Sequence, residues 1–287
     1  MGDGPARELL ALLDIENLGD DRFRGYSPAS AGNHLYGGQV VAQALVAATR
    51  TVSPDRPAHS LHAYFVLAGD PRTPIDFEVE RIRDGRSFTT RRCVATQRGR
   101  TIFSLEASFQ LREPGLAHAA DMPQTPPPED LAPINELIER FRAFLPAPSE
   151  PWMQRACALD MRVVAPETLI SPNKMGQLIW FRVQGPLPEA EAVHAALLAF
   201  LSDMTLLNTA LVVHGRNIFD PAIQVASLDH SLWIHEAPRV DGWLLYAQES
   251  PAAAHARGLT FGRIYARDGH LLASVAQEGL IRLRTKV

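Results

Sequence analysis

The sequence predicts an α+β protein made of two tandem units, each one helix followed by a run of antiparallel strands. Three observations predict it. The first is an internal echo at an offset of roughly 165–170 residues, which sets Gly99 against Gly269 and Ser104 against Ser274. The second is a shared order: a helical stretch, then strand-like runs, the last two joined by a turn signal. That signal is Gln97-Arg98-Gly99-Arg100 in one half and Arg267-Asp268-Gly269 in the other. The third is a proline-rich divide between the halves, with Pro114, Pro123, Pro126, Pro127, Pro128, Pro133, Pro146 and Pro148. A repeat of this length is a duplicated domain, not a solenoid. A lone amphipathic helix buries its apolar stripe best across one face of its sheet. The expected division is 1–112, a linker over 113–150 with a short helix, and 151–287.

Each element has its own signal. Gly37 to Leu45 predicts a helix entered through two glycines, and His59 to Phe65 an apolar extended stretch. Strands follow at roughly 75–84, 86–98 and 100–111. The linker carries an amphipathic helix near Ile134 to Phe144. Strands near 157–164 and 176–184 open the second unit, and a helix at about 188–200 leads to a break at Ser202-Asp203. Leu201 to Val213 predicts the second central helix. Strands are then expected at Ala222 to His235, Trp243 to Ser250, Gly258 to Ala266 and Leu271 to Arg284.

Composition removes several classes of function. The chain has 287 residues, 46% hydrophobic and 21% charged, with formal net charge −4, so no basic field invites nucleic acid. The longest apolar run, Ala195 to Leu201, is too short to span a bilayer. The first residues lack the character of a signal peptide, and the last are neither a prenylation box nor the peroxisomal tripeptide, so the cytoplasm is the expected compartment. Cys93 and Cys157 are expected to be reduced and mostly buried. No Walker loop, G-x-G-x-x-G, H-E-x-x-H or cysteine pair is present, so neither a cofactor nor a metal is expected.

The sharpest clues are polar residues where periodicity calls for apolar ones. Alternation puts Leu271, Ala273, Val275, Gln277, Gly279, Ile281 and Leu283 on one face of the last strand. Gln277 is the only polar side chain there, and Ala107 stands in its place in the first half. Asp203 would share a helix face with Leu206, Leu207 and Ala210, which aims a carboxylate at an apolar surface. The matching position in the first half is Gln39. A place in the first helical turn would supply N–H partners, and Ser202-Asp203 suits either a helix cap or a catalytic acid. Ser227, Asp229 and Ser231 would share a strand face, with His230 turned away, so a Ser-His-Asp relay there is poor. Ser227 alone fits a solvated strand hydroxyl. No G-x-S-x-G elbow occurs. His62 fits a core histidine better than a general base. The arginines Arg81, Arg83, Arg86, Arg91, Arg92, Arg98 and Arg100 crowd one hairpin, either as a solvated sheet face or as an anchor for a phosphorylated ligand.

These residues resemble a family. Arg22-Phe23-Arg24-Gly25, Gly37-Gly38-Gln39-Val40-Val41-Ala42-Gln43-Ala44, His59 to Phe65 and Arg83 to Phe88 are similar to the first half of bacterial acyl-CoA thioesterase II and its peroxisomal relatives. Trp180-Phe181-Arg182, Leu201-Ser202-Asp203, Ser227 to Trp233 and Gln277-Glu278-Gly279 are similar to the second half. The likeness runs in order from about residue 8 to 284. It implies a double hotdog, in which each curved antiparallel sheet wraps a central helix. It also implies a catalytic Asp203, Ser227 and Gln277, with Asp203 starting the second central helix. Bacterial members often carry Thr where Ser227 stands.

The implied reaction is hydrolysis of medium- to long-chain acyl-CoA by a water held by Gln277 and Ser227 and activated by Asp203. His62, Gly38, Arg86 and Arg91 are the expected substrate-binding residues. A homodimer or homotetramer is expected. The rivals are a hotdog enoyl-CoA hydratase and a non-catalytic acyl-CoA-binding protein.

Overall fold

Alternating apolar residues give this chain its sheet. In the computed structural model, which describes residues 5–28, 35–144, 150–169, 172 and 176–284, thirteen strands pair antiparallel into one sheet. The first half supplies β1 (Glu16–Gly19), β2 (Arg22–Gly25), β3 (Ala58–Phe65), β4 (Ile75–Asp84), β5 (Phe88–Gln97) and β6 (Arg100–Gln110). The second supplies β7 (Leu159–Val163), β8 (Gln177–Val183), β9 (Ile223–Ser227), β10 (Asp229–Ile234), β11 (Leu244–Ala254), β12 (Arg257–Ala266) and β13 (Leu271–Leu283). The helices are α1 (Pro5–Leu13), α2 (Gly37–Thr49), α3 (Ile134–Arg140), α4 (Glu150–Cys157), α5 (Glu191–Ser202) and α6 (Asn208–Val212).

The strand order is β1-β2-β4-β5-β6-β3-β10-β13-β12-β11-β8-β7, with β9 also paired to β13. It reads alike outward from its middle: β3 matches β10, β6 matches β13, β5 matches β12 and β4 matches β11. The seam is β3 against β10, where Leu61 opposes Leu232 and His62 opposes Ser231. The β5–β6 hairpin turns through Arg98 (φ 50) and Gly99 (φ 72), two successive left-handed residues whose twist suits a tight hairpin.

Helix α2 lies on the first sheet half, against β3 to β6, and α6 lies on β11 and β12. Together these make the double hotdog. Residues 38–45 of α2 are all buried because α2 is enclosed by the sheet and by α5, and its two glutamines are hydrogen-bonded, Gln39 to Ser27 Oγ and Gln43 to Leu12 O and Tyr26 O. The two helices meet closely at Gly38, where an added Cβ would lie 2.5 Å from the Phe200 carbonyl oxygen.

The second central helix departs from expectation. It is not continuous over 201–213: α5 ends at Ser202, turns occupy 203–207, and α6 begins at Asn208. The break is held from the sheet. Gln248 of β11 donates to Thr205 Oγ1 (2.5 Å) and accepts from Thr209 Oγ1 (2.9 Å), which ties both sides of the turn to one strand. Cys93 is buried as expected, and burial pushes its thiol pKa up, whereas Cys157 is exposed at the end of α4.

Gly38→Val should destabilise the fold by about 1–3 kcal/mol, because the new side chain meets backbone that cannot yield. Denaturant unfolding of the purified variant measures this.

Candidate active site

The site assembles where α5 stops. A helix leaves its last carbonyls unpaired, and here tertiary partners complete them. Ser202 Oγ donates to Ala199 O (3.0 Å), Tyr36 Oη to Phe200 O (2.8 Å) and Tyr246 Oη to Ser202 O (2.9 Å). The N–H of Met204 serves Leu201 O. Asp203 therefore sits at the C-terminal cap of α5, not in the first turn of a helix. That end of a helix dipole disfavours an anion, so the carboxylate, only 8% exposed, must find its donors elsewhere.

It finds them on two other elements. Gln277 Nε2 donates to Asp203 Oδ1 (2.5 Å) and to Ser227 Oγ (3.0 Å), and Ser227 Oγ donates to Asp203 Oδ1 (3.3 Å). Both amide protons and the hydroxyl proton are thereby used, and Oδ1 accepts twice. Gln277 Oε1 has no partner among the described residues. Asp203 Oδ2 faces the first turn of α2, where a Cβ added at Gly37 would lie 2.9 Å from it. The helix start that favours an anion thus comes from the other half of the chain.

A β-bulge aims Ser227. β13 pairs Gly279 with Ser227 and Ala276 with Ser231, so the run from Ser227 to Ser231 carries one residue more than the strand opposite. The extra residue falls at Leu228, and the Glu278 N–H turns to Asp229 Oδ1 (2.7 Å). Side-chain parity changes there. Ser227 and the buried His230 both face inward, and Ser227 does not share a face with Asp229 and Ser231 as simple alternation had it. His230 Nε2 lies 2.8 Å from Ser202 Oγ, which already donates to Ala199 O, so the ring is assigned as donor at Nε2. Burial lowers its pKa, with Asp203 and Asp229 opposing, so the ring is neutral near neutral pH. It supports the end of α5, and the partners of Ser227 Oγ are Asp203 and Gln277 instead.

Asp203 and Ser227 open onto a pocket of about 870 Å³ walled by Tyr36, Gly37 and Phe65 from the first half and Arg155 from α4. Gln277, fully buried, lies behind them and does not line it. That differs from the expectation of a water held by Gln277 directly. The Arg155 guanidinium stacks over the Tyr36 ring, 4.4 Å from its centroid, and its Nε has no hydrogen-bond partner among the described residues. Burial lowers the Arg155 pKa, opposed by Tyr36 and Asp203. Burial, and then the Asp203 charge, hold the Tyr36 and Tyr246 hydroxyls well above their usual pKa, so both remain donors. Tyr36, Gly37, Tyr246 and Arg155 carry no sequence signal for this role, since each meets the site across the fold.

The other expected residues lie elsewhere. His62 is exposed on the outer sheet face, bonded to Ser231 Oγ (3.1 Å) and set against Trp233, and is not a core histidine. Strand alternation places it opposite the inward Leu61 and Ala63. Arg91 is 1% exposed and committed to Asp84 (2.6 Å), Thr51 Oγ1 and backbone carbonyls, so it has no free edge for a phosphate. Arg86 is exposed on the β4–β5 turn, outside the pocket wall. Gly38 serves the approach of α2 to α5, while its neighbour Gly37 borders the carboxylate.

Comparison with known proteins agrees with this geometry. Residues 26–110 match the model of the acyl-CoA thioesterase N-terminal domain, and residues 162–280 match that of acyl-CoA thioesterase. The chain is 41% identical to acyl-coenzyme A thioesterase 8 of Mus musculus over 99% of this chain and 92% of that protein. It is 37% identical to acyl-CoA thioesterase 2 of Haemophilus influenzae over 96% of each. The crystal structure of acyl-CoA thioesterase II TesB2 from Mycobacterium marinum superposes with a TM-score of 0.80 at 41% identity, covering 96% of this chain and 99% of that one. The fold is that of a double-hotdog thioester hydrolase, and the chain belongs to the acyl-CoA thioesterase family.

The neutral His230 sets a pH dependence. Its folded pKa lies below the ordinary imidazole value of about 6.5, so the unfolded state binds more protons in acid and stability falls as pH drops through that value. Denaturant unfolding at about pH 7.5 and about pH 5.5 should show this loss, and His230→Gln should lessen it. His59, His194 and His235, also lowered by burial, keep the remainder. Asp229, raised by burial, acts with the opposite sign in stronger acid, which is why the window stops there.

Proposed function

We propose that this member of the acyl-CoA thioesterase family hydrolyses medium- to long-chain acyl-CoA to fatty acid and CoA with a water activated by Asp203. The observation that carries the reading is the convergence of Gln277 Nε2 and Ser227 Oγ on Asp203 Oδ1, beside an open pocket. Asp203 is the general base. Ser227 stands at the pocket wall beside it and helps to place the water, and Gln277 holds the carboxylate from behind.

The steps balance simply. Water adds to the thioester carbonyl as its proton passes to Asp203, giving a tetrahedral oxyanion. The C–S bond then breaks, and the proton on Asp203 goes to the departing sulfur. The first-turn N–H groups of α2, beside Gly37, are the natural donors to the oxyanion, and the Arg155 cation lies in the same pocket. Ser227 is not the nucleophile in this scheme. The imidazole of His230 is turned to Ser202, and a carboxylate alone activates a serine poorly.

We further place the protein in the cytoplasm as a homodimer or homotetramer. No helix of the described residues is long and apolar enough to cross a membrane. The outer strands β1 and β7 leave sheet edges that pairing would cover.

CoA release measured with a thiol reagent tests the reading. Asp203→Asn should cut kcat by about 10²–10⁴-fold, Gln277→Ala by about 10²-fold and Ser227→Ala by about tenfold, each with intact folding. Near-normal turnover by folded Asp203→Asn would refute it.

A further inference from the structure

Behind the Asp203 pocket lies a smaller cavity of about 80 Å³. Trp152, Met204, Asn208, Ile218 and Phe219 line both spaces, so they form the threshold between them. The inner walls are apolar: Ile138, Met161, Val163, Ile179 and Val212. Four polar side chains that border the cavity, Gln177, Thr205, Asn208 and Asn217, are engaged with backbone, with one another or with Gln248. Asn208 Oδ1 accepts from the Ile218 N–H and Asn217 Oδ1 from the Phe219 N–H. Thr205 Oγ1 accepts from Gln248, and Gln177 Oε1 from Asn208. Apart from the Trp152 indole N–H, these polar groups are already engaged, and such a cavity suits an apolar ligand better than water.

Two helices between β6 and β7 supply the wall that closes this space. Ile138 comes from α3 and Trp152 from α4, both between the two sheet halves. The Trp152 ring stands edge-on to Phe219, with centroids 5.4 Å apart. Trp152 is 9% exposed, and its Nε1–H has no partner among the described residues, so its shape holds it there and not a hydrogen bond. It also borders a third hollow, which it shares with Ile134, Ile138 and Met161. Removing the indole would join the three spaces.

We infer that the inner cavity receives the distal methylenes of the acyl chain, and that helices α3 and α4, through Ile138 and Trp152, set the longest chain accepted. This rests on the thioesterase reading: a thioester carbonyl at Asp203 leaves its chain to continue past Met204 and Phe219. Methylenes that reach the cavity gain the transfer free energy of burial. The chain-length profile should therefore rise steeply and then stop where the wall is met.

The test is CoA release from butyryl-, octanoyl-, lauroyl- and palmitoyl-CoA by the full chain. In the wild type kcat/KM should rise by up to about fourfold per methylene once the tail enters the cavity, the factor for burying one CH2. Ile138→Trp, which fills the cavity from a half-exposed helix, should end the rise at shorter chains and leave butyryl-CoA within about twofold of wild type. Trp152→Ala should move the limit to longer chains, and Trp152→Phe should keep the wild-type profile. The inference is overturned if Ile138→Trp lowers every substrate by one common factor, or leaves the profile unchanged with normal melting. If that variant does not melt cooperatively, an unchanged limit in Trp152→Ala overturns it instead. Absence of CoA release from every substrate by the wild type would refute the thioesterase reading itself.

Discussion

The hydrogen bond from Gln277 to Asp203 is the contact on which the site depends. Asp203 is nearly buried at the end of α5 that repels negative charge, a place where an unsupported carboxylate is costly. Oδ1 is supported by an amide from β13 and a hydroxyl from the end of β9, and Oδ2 faces the start of α2. Three elements from both halves are needed to hold one carboxylate. The tight contact at Gly38 and the carbonyl partners Tyr36 and Tyr246 set where α5 ends, and so where the acid stands.

Duplication explains the asymmetry of the molecule. The two halves repeat the same strand order about the β3–β10 seam, yet only one carries the amide. Ala107, buried on β6 where Gln277 stands on β13, leaves the first half without a donor. The first half contributes differently, through Tyr36, Gly37 and Phe65 in the pocket wall. Helix α4, which precedes β7, contributes Trp152 and Arg155.

Much of the fold was legible because strands announce themselves by alternation and hairpins by glycine. Gln277 was legible for the same reason: a lone polar residue on a regular apolar face keeps its parity. Ser227 was placed on the wrong face because a bulge is a property of two strands, and nothing near Leu228 names its partner Glu278. The helix break at Asp203 was seen, but not which end of which helix it makes, because Gln248 fixes the turn from β11. Arg91 looked like a surface cation. Its burial follows from Asp84, Thr51 and two other carbonyl-bearing residues folding around it. For Ser227 and Asp203 the deciding contacts join segments distant in sequence, where local pattern has no reach; for Arg91 the partners Arg83, Asp84 and Thr90 are near in sequence and Thr51 is the distant one.

If Asp203 and Gln277 form one functional unit, their losses should not add. The most direct measurement is a double-mutant cycle on kcat with Asp203→Asn, Gln277→Ala and the pair together, each variant verified as folded. The account predicts that the double variant is no slower than the worse single one within about threefold, since Gln277 acts through the carboxylate and through the Ser227 hydroxyl that is itself bonded to that carboxylate. Losses that multiply would show two independent contributions and contradict it.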